Sequence, residues 1–215
     1  MTPRMETVAV IDFETTGLGP AQGGRATEIA AVLVQGGEIV ARFQSMMNSG
    51  AWVPAYITQL TGITNAMVQA APPARAVMHE VARFTKGCPL VAHNAAFDRG
   101  FWHAELTRAE CEADAAHAFA CTLLLSRRLY PHAENHKLGT LARLHALPSA
   151  GRAHRALADA EVTAQLLLRM QSDVKERFAG SLRERSVSHA MLAALQRAKR
   201  DRLDECMERV TAEPA

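Results

Sequence analysis

The run Thr7 to Ile11 (TVAVI) is short, β-branched and unbroken, and Asp12 stands at its end. Such a run suits a central strand buried on both faces, so the chain must cover both sides of a sheet. Thr27 to Val34 (TEIAAVLV) and Glu38 to Met46 (EIVARFQSM) flank Gln35-Gly36-Gly37 and read as two more strands joined by a tight hairpin. The first three strands are therefore expected to be antiparallel, after a glycine-rich turn over Thr16 to Gly24.

Beyond Met46 the pattern changes to strand and helix in alternation. Ile57 to Gln69 has helical spacing around the turn TGIT, and Pro72-Pro73 precede a helix over Ala74 to Lys86 that Gly87 and Pro89 end. Leu90 to His93 (LVAH) reads as a buried strand and Ala95 to Arg108 as a helix with Asp98 in its first turn. Ala118 to Leu123 is expected to form a fifth strand, with helices at Lys137 to His145 and Ala156 to Met170 separated by the loop PSAGRAH. Hairpin first and alternation after it predict an α/β sandwich with a mixed sheet.

With 215 residues, 48% of them hydrophobic, the chain can bury one sizeable core. Residues 1–172 are read as that domain and 173–215 as a helical extension. Within the extension, Leu192, Leu195, Leu203, Cys206 and Val210 fall near helical spacing, which predicts one amphipathic helix over Ser188 to Val210. Its apolar stripe can dock on the domain or pair two copies of the chain, and its Arg and Lys residues, interleaved with acids, read as a solvated face.

A balance of 24 Lys and Arg against 22 Asp and Glu, net +2, excludes a protein held to nucleic acid mainly by bulk charge. The four scattered cysteines form no CxxC pair, which argues against a zinc ribbon or disulfide framework and fits a reducing cytoplasm. No stretch approaches the ~20 apolar residues of a membrane span, and an acid interrupts the N-terminus before any leader-like run. A soluble, cytoplasmic protein without membrane contact is expected.

Asp12 and Glu14 are spaced i, i+2, so on extended backbone they share one face and repel each other. A lone DxE is more often a solvated strand end, and two further acids shift that balance. Asp159 lies in phase with Val162, Leu166 and Met170, on the apolar face of its helix, where an unpaired charge costs several kcal/mol. Asp98 stands at another strand-to-helix junction. Four carboxylates without a cysteine motif match hard cations such as Mg²⁺ or Mn²⁺, and a pair of such ions suits phosphoryl transfer. A base is also needed. His154, five residues before Asp159, would lie about 140° away on one continuous helix and so belongs in the loop or cap before it. Its ordinary pKa near ~6.5 lets it accept a proton at neutral pH.

The segments Asp12-Phe13-Glu14-Thr15-Thr16-Gly17, His93-Asn94-Ala95-Ala96-Phe97-Asp98 and His154-Arg155-Ala156-Leu157-Ala158-Asp159 resemble the three motifs of the DEDDh (DnaQ-like) 3′ to 5′ exonucleases. That family includes the proofreading epsilon subunit of bacterial DNA polymerase III and the ribonuclease T type, and the likeness spans about residues 6–170. It implies a ribonuclease H-like three-layer sandwich with a mixed five-stranded sheet, and release of nucleoside 5′-monophosphates from a 3′ end. It implies two Mg²⁺ or Mn²⁺ ions on Asp12, Glu14, Asp98 and Asp159, with His154 as base. Thr15, Thr16 and Gly17 would meet the terminal nucleotide through backbone, Leu60, Thr61 and Ile63 of LTGIT would pack on its base and sugar, and His93, Asn94 and Phe97 would line the same pocket. The implied substrate is a single-stranded or frayed DNA 3′ end, with RNA trimming or a non-catalytic accessory module of the same fold as alternatives. A DNA polymerase, or a homodimer through the C-terminal helix, is the implied partner. One departure is Cys121, where many relatives carry an acid ahead of the Thr-Leu of the fifth strand.

Three signals are set aside. His132 and His136 in PHAENH have helical ligand spacing, but Pro131 and Asn135 favour a surface turn and no zinc is expected. Trp102 follows Phe101 on a helix and reads as core. Trp52, beside Gly50 and Pro54, is open to either reading.

Overall fold

The computed structural model describes residues 5–17, 19–148 and 154–212. Of the expected loop PSAGRAH, residues 149–153 lie outside them, as does residue 18 of the glycine-rich turn.

The elements run β1 (Thr7–Thr15), β2 (Ala26–Gln35), β3 (Glu38–Met46), α1 (Ala55–Thr61), α2 (Asn65–Ala70), α3 (Ala74–Phe84), β4 (Leu90–Ala92), α4 (Ala95–Ala109) and β5 (Phe119–Cys121). Then come α5 (Thr122–Leu129), α6 (Leu138–Leu144), α7 (Ala156–Arg177), α8 (Ala179–Leu182), α9 (His189–Leu195) and α10 (Leu203–Ala212). The strands form one sheet in the order β3-β2-β1-β4-β5. The β1–β2 and β2–β3 pairs are antiparallel, and β1–β4 and β4–β5 are parallel. The mixed five-stranded sandwich expected from the sequence is thus what the chain forms.

Strand alternation sorts the core into two layers. Ala9, Ile11 and Phe13 of β1 with Ile29 and Ala31 of β2 face α3 and α4, around Met78, Phe101 and Trp102. Val8 and Val10 with Ala30, Val32 and Val34 face the other way, onto α7. Trp102 is fully buried, as its position beside Phe101 predicts, whereas Trp52 is 72% exposed.

The register dictates where the acids go. Asp12 and Glu14 continue the face of Val8 and Val10, and Glu28 continues that of Ala30 and Val32. All three therefore point toward α7 at the same end of the sheet, and Glu14 and Glu28 are direct cross-strand partners. A register shift between Glu14 and Thr15 ends the regular pairing there.

Two expectations need correction. The fifth strand is shorter than Ala118 to Leu123, because Thr122 and Leu123 already belong to α5. The single helix expected over Ser188 to Val210 is broken into α9, a 3₁₀ turn at Arg200–Arg202 and α10. The break has a physical cause. β5 is an edge strand, and Gln196, just past α9, covers it: its Oε1 accepts from Cys121 N (2.6 Å) and its Nε2 donates to Phe119 O (3.2 Å). His189 of the same segment pairs its Nε2 with Leu90 O at 3.0 Å. α7 itself runs on to Arg177, and Leu182, Leu192, Leu195, Leu203 and Met207 share one buried cluster with Val10 and Leu166. Among the described residues no helix is long and apolar enough to cross a membrane.

Candidate active site

The end of β1 and the first turn of α7 bring Asp12, Glu14 and Asp159 together. One carboxylate oxygen from each lies within 4.8 Å of the others. Glu14 is 8% exposed, and Asp12 and Asp159 are partly buried. Asp98, 2% exposed in the first turn of α4, approaches from the other layer and accepts a hydrogen bond from Phe13 N (3.2 Å) with its Oδ1. Asp98 is outside the tight trio, but its charge bears on Asp12.

The cluster is electrostatically unfinished. Burial, then the charges of Asp98, Asp159, Glu14 and Glu28, holds the Asp12 carboxyl well above the ordinary carboxylate range. Burial, then Asp159 and Glu28, pushes Glu14 up to about 8. Burial raises Asp98 to about 7 despite hydrogen bonds that favour its charged form, and burial also raises Asp159. Carboxylates so arranged stay protonated unless a cation joins them. A hard divalent metal fits this all-oxygen donor set, and no cysteine or histidine lies within the trio to favour zinc.

The guanidinium whose charge bears on Glu14 is already engaged. Arg155, the residue before α7, forks onto Glu28 with Nε to Oε2 at 3.0 Å and Nη2 to Oε1 at 2.8 Å. Gln44 Nε2 and Ala156 N add bonds of 2.7 and 3.2 Å to the same carboxylate. Burial pushes Glu28 up, but these donors outweigh it and leave Glu28 below its usual value. Of two acids side by side on one buried face, Glu28 is neutralised by the chain and Glu14 is not.

His154 precedes this clamp and is exposed, with φ of 61° in the left-handed region. Its backbone N–H donates to Asp159 Oδ2 at 3.0 Å, which ties the histidine to the acid cluster. Both residues line a groove of about 1200 Å³ between α4, α5, α6 and α7, whose rim carries Arg127, Lys137 and Arg143.

The remaining expected substrate contacts separate into two sets. His93 and Asn94 line the groove. His93 is also a structural tie: its Nδ1 lies 2.9 Å from Thr122 Oγ1 and its Nε2 3.0 Å from His136 O, and burial lowers it to about 4. Phe97 packs on Phe101 with ring centroids 5.0 Å apart. Leu60 is 48% exposed, but Thr61 and Ile63 are buried, Ile63 in a small core with Val53, Ile57 and Val68. Thr15 Oγ1 donates to Gly17 O (2.8 Å) and Thr16 Oγ1 accepts from Arg25 N (3.0 Å), so both hydroxyls knit the turn at Gly17.

Against this geometry, residues 9–167 match the family model described as Exonuclease. The chain belongs to this exonuclease family. The exonuclease chain is 39% identical over 172 residues to the 3′-5′ exonuclease DinG of Bacillus subtilis (strain 168), covering 78% of this chain and 18% of that protein. It is 40% identical over 172 residues to the PolC-type DNA polymerase III of the same organism, covering 80% of this chain and 12% of that one. The chain thus spans less than a fifth of these relatives. Its structure resembles Exonuclease X in complex with 5′ overhanging duplex DNA, with TM-score 0.62, 29% identity, and coverage of 77% of this chain and 91% of that one. It shares its fold with the nuclease domain of 3′hExo, a DEDDh family member, at TM-score 0.66 and 20% identity, over 80% and 95% of the two chains.

Sequence reading gave no role to Glu28, Arg155, Arg25 or Glu105. Arg25 forks onto Glu105, 1% exposed, at 2.8 and 3.0 Å and bonds Ser49 O at 3.0 Å, which fixes the turn after β1. The usable signal was a lone acid in an apolar strand: Glu28 in TEIAAVLV is one, and hairpin register places it beside Glu14.

Proposed function

We propose that this exonuclease chain hydrolyses the terminal phosphodiester of a single-stranded or frayed DNA 3′ end, one nucleotide at a time, releasing nucleoside 5′-monophosphates. The observation that carries the reading is the uncompensated trio of Asp12, Glu14 and Asp159, bonded through Asp159 to the backbone of an exposed histidine. Asp12, Glu14, Asp159 and Asp98 would hold two Mg²⁺ or Mn²⁺ ions, which supply charge stabilisation and acidify water. His154, at the groove, accepts the proton of the attacking water at its imidazole nitrogen. Leu60, left open on α1, packs on the terminal nucleoside, while Thr61 and Ile63 support it from beneath. The Arg127, Lys137 and Arg143 rim draws the phosphates of the approaching strand.

DNA is favoured over RNA by the relatives: the Exonuclease X structure is a DNA complex and PolC-type proteins are DNA polymerases. A DNA polymerase is the corresponding partner class. The test is a time course on 5′-labelled DNA and RNA of one sequence with Mg²⁺ or Mn²⁺. Faster shortening of DNA in single-nucleotide steps is expected. Faster shortening of RNA would assign the chain to RNA trimming.

A further inference from the structure

We propose that Glu28 and Arg155 form a positioning clamp that sets the placement of His154 and Asp159, and that neither binds metal or substrate. The inference rests on the nuclease reading only for its kinetic consequence; the clamp itself is a statement about geometry.

Glu28 is fully buried, and each of its oxygens is used twice: Oε1 by Arg155 Nη2 and Gln44 Nε2, Oε2 by Arg155 Nε and Ala156 N. These donors come from β3, from the residue that caps α7 and from the first residue of α7. A carboxylate so occupied has no lone pair left for a metal, whereas Glu14, its cross-strand neighbour, places an oxygen within 4.8 Å of those of Asp12 and Asp159. The clamp therefore locks the start of α7 to β2. An ion pair between Arg42 of β3 and Glu161 fastens the next turn of the helix.

The locked point lies between the residues that need placing. His154 is immediately before Arg155, and Asp159 N donates to Arg155 O at 3.1 Å in the first helical turn. A histidine with φ of 61° sits in a sparsely populated conformation that persists only where its surroundings over-determine it. Here they are the Glu28 fork on one side and the His154 N to Asp159 Oδ2 bond on the other. Buried ion pairs often add little stability over a well-packed apolar pair, so fixing geometry is the better account of this one.

The test compares Glu28→Gln and Arg155→Lys with Glu105→Gln, which weakens a buried Arg–Glu pair elsewhere at the same sheet end. Arg155→Lys keeps the charge and loses the fork. In metal-free protein, amide exchange over residues 155–160 should rise roughly tenfold in the two clamp variants and stay unchanged in Glu105→Gln. With Mn²⁺ and single-stranded DNA, the clamp variants should lose about 10–100-fold in kcat with KM within about twofold. In a His154→Ala background the further loss should shrink to under about threefold, because a positioning residue acts through the group it positions. Equal exchange in Glu28→Gln and wild type, or full multiplicative loss in the His154→Ala background, would overturn the clamp. Faster exchange in the two clamp variants, when the wild type hydrolyses neither DNA nor RNA, is a separate outcome: the clamp stands and the nuclease reading falls.

Discussion

Removing one charge from the acid trio should stabilise the metal-free protein in a pH-dependent way, and Glu14→Gln is the cleanest perturbation. Glu14 is 8% exposed and is pushed from 4.5 to about 8 by burial and neighbouring carboxylates. In the unfolded chain it titrates near ~4.3, so between these values the unfolded state has released a proton that the folded state retains. With the folded pKa raised, the stabilising difference is complete below the unfolded pKa and is lost as pH rises through about 8. The full shift corresponds to about 5 kcal/mol, and relaxation of a coupled cluster reduces the expected effect to about 3 kcal/mol. For a chain of this length that is roughly 6–12 °C in Tm. Thermal melts of chelator-treated protein should show wild type losing stability from pH 5 to 8. Glu14→Gln should lose less, so that the variant melts higher at pH 8 and equally at pH 4. Mn²⁺ at about 100 times its Kd should raise wild type by about 2.7 kcal/mol and the variant by far less. Identical pH slopes for both proteins, or an undiminished Mn²⁺ effect in Glu14→Gln, would refute the electrostatic account of the site.

Three further outcomes follow. His154→Gly should be more stable than His154→Ala by about 1 kcal/mol in urea unfolding, because only glycine adopts a φ of 61° without strain. Arg25→Ala leaves the buried Glu105 with the Arg108 guanidinium and the Ala26 N–H, each at 3.3 Å, and should lower unfolding free energy by about 3 kcal/mol in the same assay. Leu60→Ala should raise KM on single-stranded oligonucleotides with Tm nearly unchanged, whereas Ile63→Ala, emptying a fully buried position, should cost about 2–4 kcal/mol of stability.

Much of this arrangement was legible because it depends on local periodicity. The β-branched run at Thr7 to Ile11, the hairpin at Gly36-Gly37 and the helical phase of Asp159 with Leu166 and Met170 are short-range signals, and the antiparallel β1–β2–β3 half of the mixed sheet follows from the first two. Asp12, Glu14 and Asp159 meet because strand alternation and helical phase each point them at the same layer. The features that were missed depend on long-range pairing. Gln196 breaks the C-terminal helix by capping an edge strand 75 residues earlier, and Leu195 and Leu203 keep helical phase across the break, so periodicity is blind to it. Glu28 and Arg155 are 127 residues apart, and no spacing rule links them. Thr61 and Ile63 show the converse. Their segment suggests contact with a nucleotide; Ile63 packs with Val53 and Val68, the Thr61 hydroxyl donates to Ile57 O at 2.9 Å, and Leu60 is left outside.

The central claim is that Asp12, Glu14 and Asp159 form a metal site for hydrolysis at a 3′ end. The direct measurement is chromatographic quantitation of nucleotides released from a single-stranded DNA oligonucleotide with Mn²⁺, with chelator, and with Asp12→Ala in place of wild type. Nucleoside 5′-monophosphates released stepwise by wild type with Mn²⁺, and abolished by the chelator and by the substitution, are the predicted result. Release that persists in Asp12→Ala, or no release from DNA or RNA at any Mn²⁺ concentration, would contradict it.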